Sequence, residues 1–198
     1  IKLMDGDEVI SMSILKHTDA TTEQRDEYLR LSSALKRIEV PENGDFDEEA
    51  AFNGLEPQMS FEEFKAMREN EQFILTVTST GYGKRTSAYE YRITARGGQG
   101  VANMEMSERN KAVVSSFPIE DDNQIMMVTD GGKLIRMPVE DIRIAGRKTQ
   151  GVILFRTAED ENVVSVTWLD ADDDDEDAEL SEEVNEFDGV AAADESEE

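Results

Sequence analysis

The sequence predicts an all-β array of small repeated sheets, interrupted by one helical segment and followed by an acidic tail. Three observations carry that prediction. The first is an internal repeat: residues 74–101 laid over 125–152 without a gap, at an offset of 51, match at 11 of 28 positions, against roughly two by chance for ordinary composition. The matches include Ile74/Ile125, Val77/Val128, Thr78/Thr129, Gly81/Gly132, Gly100/Gly151 and Val101/Val152. Such a period fits a propeller-like array, whose units cannot bury their apolar faces alone. The second is the texture of each unit, short β-branched runs punctuated by glycine. The third is that helical periodicity and most of the charge are confined to segments outside the repeats.

Taken in chain order, residues 1–15 match the end of a repeat, with Ile1, Leu3, Val9 and Ile10 standing where the later units have Val152-Ile153-Leu154 and Val163-Val164. They are expected to close a preceding blade. Residues 16–72 change character: Tyr28, Leu31, Leu35 and Ile38 recur at three- and four-residue spacing, and Ser60 with Glu63 forms a capping box before Phe61, Phe64 and Met67. The acidic, turn-rich run from Pro41 to Pro57 lies between them, so the stretch reads as an acidic helical insertion docked on the array.

Residues 73–120 and 121–169 read as two successive blades, expected to be the penultimate and the last. Phe73 to Thr78, Ile125 to Thr129, Val152 to Phe155 and Val163 to Trp168 read as strands. Gly81, Gly83, Gly131 and Gly132 sit where a hairpin turn takes positive φ before a basic strand. Residues 170–198 hold 16 acidic residues and no basic one. Such a run cannot bury enough apolar surface to offset ordering entropy, which predicts a disordered tail.

The net charge of −26 argues at first sight against a polyanionic partner. The average conceals the distribution, because residues 73–169 carry 12 basic and 12 acidic side chains. Cysteine is absent, which excludes a disulfide scaffold and any thiolate metal site. The single histidine, His17, lies at the edge of the insertion and leaves no base to activate a nucleophile, so no catalytic residue and no metal ligand is assigned. No run of about 18 apolar residues occurs, and no membrane partner is expected.

What stands out is arginine that repeats: Arg85, Arg92 and Arg96 in one unit against Arg136, Arg143 and Arg147 in the next, with Lys84, Lys133 and Lys148 beside them. Equivalent positions in neighbouring units point the same way and line up as a stripe. A stripe of guanidinium groups with no strong aromatic interleaving suits the phosphates of duplex DNA better than stacked single-stranded bases. The alternative is that these arginines pair with Glu90, Asp130, Glu140 or Asp141 as surface ion pairs worth little each.

Three runs carry a family resemblance: Thr80-Gly81-Tyr82-Gly83-Lys84-Arg85-Thr86, Gly146 to Leu154, and Arg156-Thr157-Ala158-Glu159-Asp160-Glu161-Asn162-Val163-Val164. They resemble the C-terminal domain of the A subunit of bacterial DNA gyrase, a type IIA topoisomerase. The resemblance covers residues 1–14 and 73–169. It implies a β-pinwheel, a propeller-like fold with strands exchanged between blades, that binds and wraps double-stranded DNA on a basic rim. It implies partners in the gyrase B subunit, in a second copy of the A subunit through other domains, ATP and Mg2+ bound by the B subunit, negative supercoiling by strand passage, and a bacterial cytoplasmic setting. Arg96-Gly97-Gly98-Gln99-Gly100 is a weakened echo of that family's glycine-rich basic box, with Ala95 and Gln99 at two basic positions. The corresponding domain of topoisomerase IV and a protein-binding propeller are the alternatives; the Arg156 to Val164 run favours gyrase.

Overall fold

The computed structural model describes residues 3–38, 46–95, 97–98 and 100–170. Three helices come first. Helix α1 (Thr22–Leu35) starts at Thr21, whose hydroxyl accepts from the Gln24 amide while the Gln24 side chain returns to the Thr21 amide. Helix α2 (Glu48–Asn53) starts on Asp47, and α3 (Phe61–Glu69) starts on the expected Ser60/Glu63 box. Each cap supplies partners for amides that the first helical turn leaves unpaired, a contribution of about 1 kcal/mol. Helix α2 falls inside the segment read as turns. Its acidic first turn, Glu48 and Glu49, favours the positive end of the helix dipole, so the composition that suggested a loop in fact suits a helix start.

The helices share a core of Tyr28, Leu31, Phe52, Phe64 and Met67, with Tyr28 packed on Phe64 at a ring separation of 5.1 Å. The same core takes in Tyr89 from the β-array, edge-on to Tyr28 at 5.2 Å, and the Tyr89 hydroxyl donates to the Met67 carbonyl at 2.9 Å. The insertion is thus docked on the first blade. Its two ends meet: the Lys16 amide donates to the Gln72 side-chain oxygen, and the Gln72 amide group donates to the Lys16 carbonyl.

The β-array has two antiparallel sheets. The first is built on β1 (Phe73–Thr78), flanked by β2 (Tyr82–Ser87) and β3 (Val113–Ile119). The second is built on β4 (Gln124–Thr129), flanked by β5 (Leu134–Pro138) and, later in the chain, β7 (Val163–Leu169). Between β5 and β7 runs β6 (Val152–Ile153), which leaves its own unit and pairs with the outer edge of β2, Tyr82 opposite Ile153 and Gly83 opposite Val152. A strand contributed by the second unit therefore completes the sheet of the first. The expected strand from Val152 to Phe155 is shorter than read, because the amides of Leu154 and Phe155 both turn to the Gly81 carbonyl.

The exchange needs glycine at two places. Gly81 has φ +75°, and a Cβ there would lie 2.2 Å from the Phe155 carbonyl oxygen; Gly151 has φ +79°, and its Cβ would lie 2.7 Å from the Gly83 carbonyl oxygen. A side chain at either site would meet backbone. Between the sheets lies the main core: Leu75, Val77, Ile119, Ile125, Met127, Val139, Ile142 and Val163. Burial of such side chains is worth about 1.5–3 kcal/mol each, so this seam holds the two units together.

Two features mark where the array is open. The outer edge of β5 has no strand partner among the described residues, and Leu134 is 61 % exposed. Residues 9–15 repeat the β3 and β7 pattern, Val9-Ile10-Ser11 against Val113-Val114-Ser115 and Val163-Val164-Ser165, yet Met12 and Ile14 are 90 % and 91 % exposed. The expected disordered tail lies outside the described residues from position 171 onward, as do residues 39–45 of the insertion.

Candidate nucleic-acid interface

The nine candidate cations divide into three groups by their surroundings, apart from one that is not described. Lys84 and Arg85 belong to the interior, which corrects their reading as surface residues. Strand β2 reads as a polar run, but it is covered by the second unit on its outer edge and buries its side chains from Gly83 to Ser87. Lys84 is fully buried, and its ammonium group donates to the carbonyls of Gly146 at 2.7 Å, Arg147 at 2.9 Å and Thr149 at 3.2 Å. Burial, helped by the neighbouring Arg147 charge and opposed by Glu90, lowers the Lys84 pKa to about 8. Arg85 is 6 % exposed, pairs with Asp121, and donates to the carbonyls of Ile142 at 2.7 Å and Glu140 at 3.2 Å. Both groups are held by the adjacent unit, and their burial keeps them from a phosphate.

A second group is partly committed. Arg147 donates through Nε to the Glu90 carbonyl at 2.9 Å and through Nη1 to the Ala102 carbonyl at 2.6 Å, with its guanidinium 5.8 Å from the centre of the Tyr91 ring. Lys133 pairs with Glu161 at 2.5 Å. That carboxylate also accepts from the Ala158 amide and the Thr129 hydroxyl, and these hydrogen bonds with Lys133 bring its pKa down to about 2. Arg136 donates to the Gln124 side chain at 2.7 Å. Of the carboxylates considered as pairing partners, Glu90 meets one of the repeated arginines through its side chain, by accepting the Arg147 amide at 2.8 Å.

The third group faces solvent. Arg92, Arg143 and Lys148 are exposed, and none forms an ion pair with a described residue. Arg92 and Arg143 are equivalents in the repeat. Their backbones are tied to the first unit's β2 and the turn after it: Arg92 follows the turn Ala88–Glu90 that holds Arg147, Lys148 adjoins Arg147, and the Arg143 carbonyl accepts from the Arg85 amide on β2. Arg96 and Gln99 of the weakened box lie outside the described residues.

Three further exposed cations, Arg109, Lys111 and Arg156, gather at the other end of β2, where the Thr80 hydroxyl donates to the Arg109 carbonyl at 2.6 Å and Arg156 follows Phe155. Repetition could not reveal them, since the equivalent positions are Asp160, Asn162 and Glu105. That register is itself visible in the structure. Asn110 accepts from the Ser107 amide as Glu161 accepts from the Ala158 amide, each capping the turn three residues back. Among the described residues no cluster of three acidic or histidine side chains is arranged to hold a metal ion, and no helix is long and apolar enough to cross a membrane.

Comparison with known proteins follows the same division into two repeated units. Residues 72–119 and 123–167 match the family described as DNA gyrase C-terminal domain, beta-propeller. The A subunit of DNA gyrase from Granulibacter bethesdensis is 46 % identical over 173 residues, 84 % of this chain and 18 % of that protein. Its counterpart from Rickettsia bellii is 44 % identical over 188 residues, 94 % of the chain and 20 % of the protein. The chain thus spans about a fifth of the length of the relatives it matches. A solved structure of a DNA gyrase A C-terminal domain aligns with 50 % of this chain and 34 % of its own at 22 % identity and a TM-score of 0.47. With its two matched repeats and its gyrase A relatives, the chain belongs to the DNA gyrase A C-terminal domain family.

Proposed function

We propose that this chain binds and bends double-stranded DNA as part of a gyrase A protein, without sequence preference, through a rim that includes Arg92, Arg143 and Lys148. The observation that supports it best is that Arg92 and Arg143, equivalent in the repeat, both face solvent with no ion-pair partner among the described residues. Arginines and lysines in that setting gain by displacing the counterions condensed on a duplex, whereas those already held by carbonyls do not. Bending a duplex of 20–30 base pairs by tens of degrees costs on the order of 1–6 kcal/mol, which several phosphate contacts distributed along a curved edge can offset.

In this reading the whole protein, paired with a second copy of itself and with the gyrase B protein, introduces negative supercoils by strand passage in the bacterial cytoplasm. ATP and Mg2+ are held by the B protein. This chain supplies no reacting group; its work is to hold the duplex. The test is the triple variant Arg92→Ala/Arg143→Ala/Lys148→Ala titrated with duplexes of unrelated sequence over a range of salt. If each cation meets one phosphate, the slope of log affinity against log salt shrinks by about 0.9 per contact, close to 3 in all. An unchanged slope and affinity would refute the rim and favour a propeller that docks protein.

A further inference from the structure

Lys84 is a fully buried ammonium that makes no ion pair among the described residues. Its counterpart in the second unit is Ile135, so the fold does not require a cation at this position. What the ammonium touches is one loop of the neighbouring unit: three carbonyls, those of Gly146, Arg147 and Thr149, and the Thr149 hydroxyl at 3.4 Å. The ammonium has three hydrogens and meets all three carbonyls. The Gly146 carbonyl also accepts from Thr149 and the Thr149 carbonyl from the Glu105 amide, which leaves Lys84 as the donor to the Arg147 carbonyl among the described residues. The same loop is also held by Glu90, which accepts the Arg147 amide at 2.8 Å through its carboxylate and the Arg147 side chain through its carbonyl. Both holding groups come from the first unit, one on β2 and one on the turn that follows it.

We propose that Lys84 and Glu90 are positioning residues that clamp the loop 146–149, so that the first blade fixes where the second presents Lys148. Loop backbone is otherwise mobile unless its polar groups are tied down. Here the carbonyls are drawn inward to Lys84 and the Arg147 amide to Glu90, while Lys148, between them in sequence, is left exposed. The clamp also turns a lysine that looks like a surface DNA contact into an internal fastener. Its consequence for binding rests on the rim reading above; the clamp itself does not.

The test uses the intact protein with Lys84→Met, which keeps the volume and removes the donors, and Glu90→Ala. Amide hydrogen exchange over residues 145–150 is expected to quicken about tenfold or more in each, with β4 and β7 unaffected. Duplex affinity is expected to fall about threefold to tenfold with its salt slope retained, since no phosphate contact is itself removed, whereas a lysine that met phosphate directly would take about 0.9 from the slope. Unchanged exchange in both variants overturns the clamp. If Lys84→Met does not fold, Glu90→Ala decides alone. Quickened exchange with unchanged affinity, while Arg143→Ala/Lys148→Ala binds more weakly, overturns the positioning role. Quickened exchange with affinity unchanged in every variant leaves the clamp standing and refutes the rim.

Discussion

Alanine at Gly81 and alanine at Gly132 form a matched pair that weighs the strand exchange directly. The two glycines are equivalent in the repeat, and their backbones are alike, with φ of +75° and +78°. Their surroundings differ: a Cβ on Gly132 would meet nothing within 4 Å, whereas one on Gly81 would lie 2.2 Å from the Phe155 carbonyl oxygen. The left-handed conformation alone costs an L-residue about 1–2 kcal/mol, and this is the whole effect expected for Gly132→Ala. At Gly81 the contact is with backbone, which no rotamer change relieves, so an overpacking term of about 1–3 kcal/mol is added. Gly81→Ala is therefore expected to cost about 2–5 kcal/mol, and the difference between the variants measures the seating of the exchanged segment. Urea unfolding followed by far-ultraviolet circular dichroism gives both numbers, with the slope on urea unchanged if the unfolded states are alike. Equal costs would show that Leu154 and Phe155 are not seated on the Gly81 turn.

Glu161 gives a pH dependence of known sign. Its carboxyl is held at about 2 against an ordinary 4.5, so between those values the unfolded chain binds more protons than the folded one. Its contribution is complete above about pH 4.5 and lost as pH falls toward 2; Glu161→Gln should flatten the fall in melting temperature between pH 5 and 3, and an unaltered curve would show that other carboxylates govern acid unfolding. Tyr89→Ala removes a side chain that is 6 % exposed and joins both parts of the molecule, at an expected cost of about 3–5 kcal/mol by analogy with other large aromatic truncations. Amide exchange should rise in α1 and α3 and stay low in β1 and β4, whereas uniform loss of protection would mean that the helices and blades unfold as one. The Arg92, Arg143 and Lys148 titration and the Lys84 exchange experiment complete the set.

The repeat, the strand content, the capped third helix and the helical character of residues 16–72 were legible because each depends on local pattern. Spacings of three and four mark a buried helical face, and Tyr28 and Leu31 are buried as that spacing requires. The strand at Val152 was legible, and its exchange was implied by the family resemblance, but no local pattern showed where it pairs. It consists of Val152 and Ile153, and its partner lies about 70 residues back, beyond the reach of any local pattern. The same distance explains Lys84 and Arg85. A run of Gly-Lys-Arg-Thr reads as solvated edge, and it becomes interior only because segments 140–149 of the next unit lie across it. One clue was present: Lys84 stands opposite Ile135 in the repeat, which argues for an inward-facing position. Arg92 and Arg143 remain at the surface, whereas Arg85, whose equivalent Arg136 is also arginine, does not, so repetition of arginine alone did not tell the two cases apart.

The closure of the insertion by Lys16 and Gln72 separates the length of that segment from the shape of the array. With the two ends fastened side by side, the chain leaves and re-enters through a single gate. Closing a longer excursion then adds only about 0.6 kcal/mol per doubling of its length. The gate is therefore expected to tolerate exchange of its cargo: excursions of very different size, or a reporter domain, can be spliced between those two residues while the blades that follow keep their register.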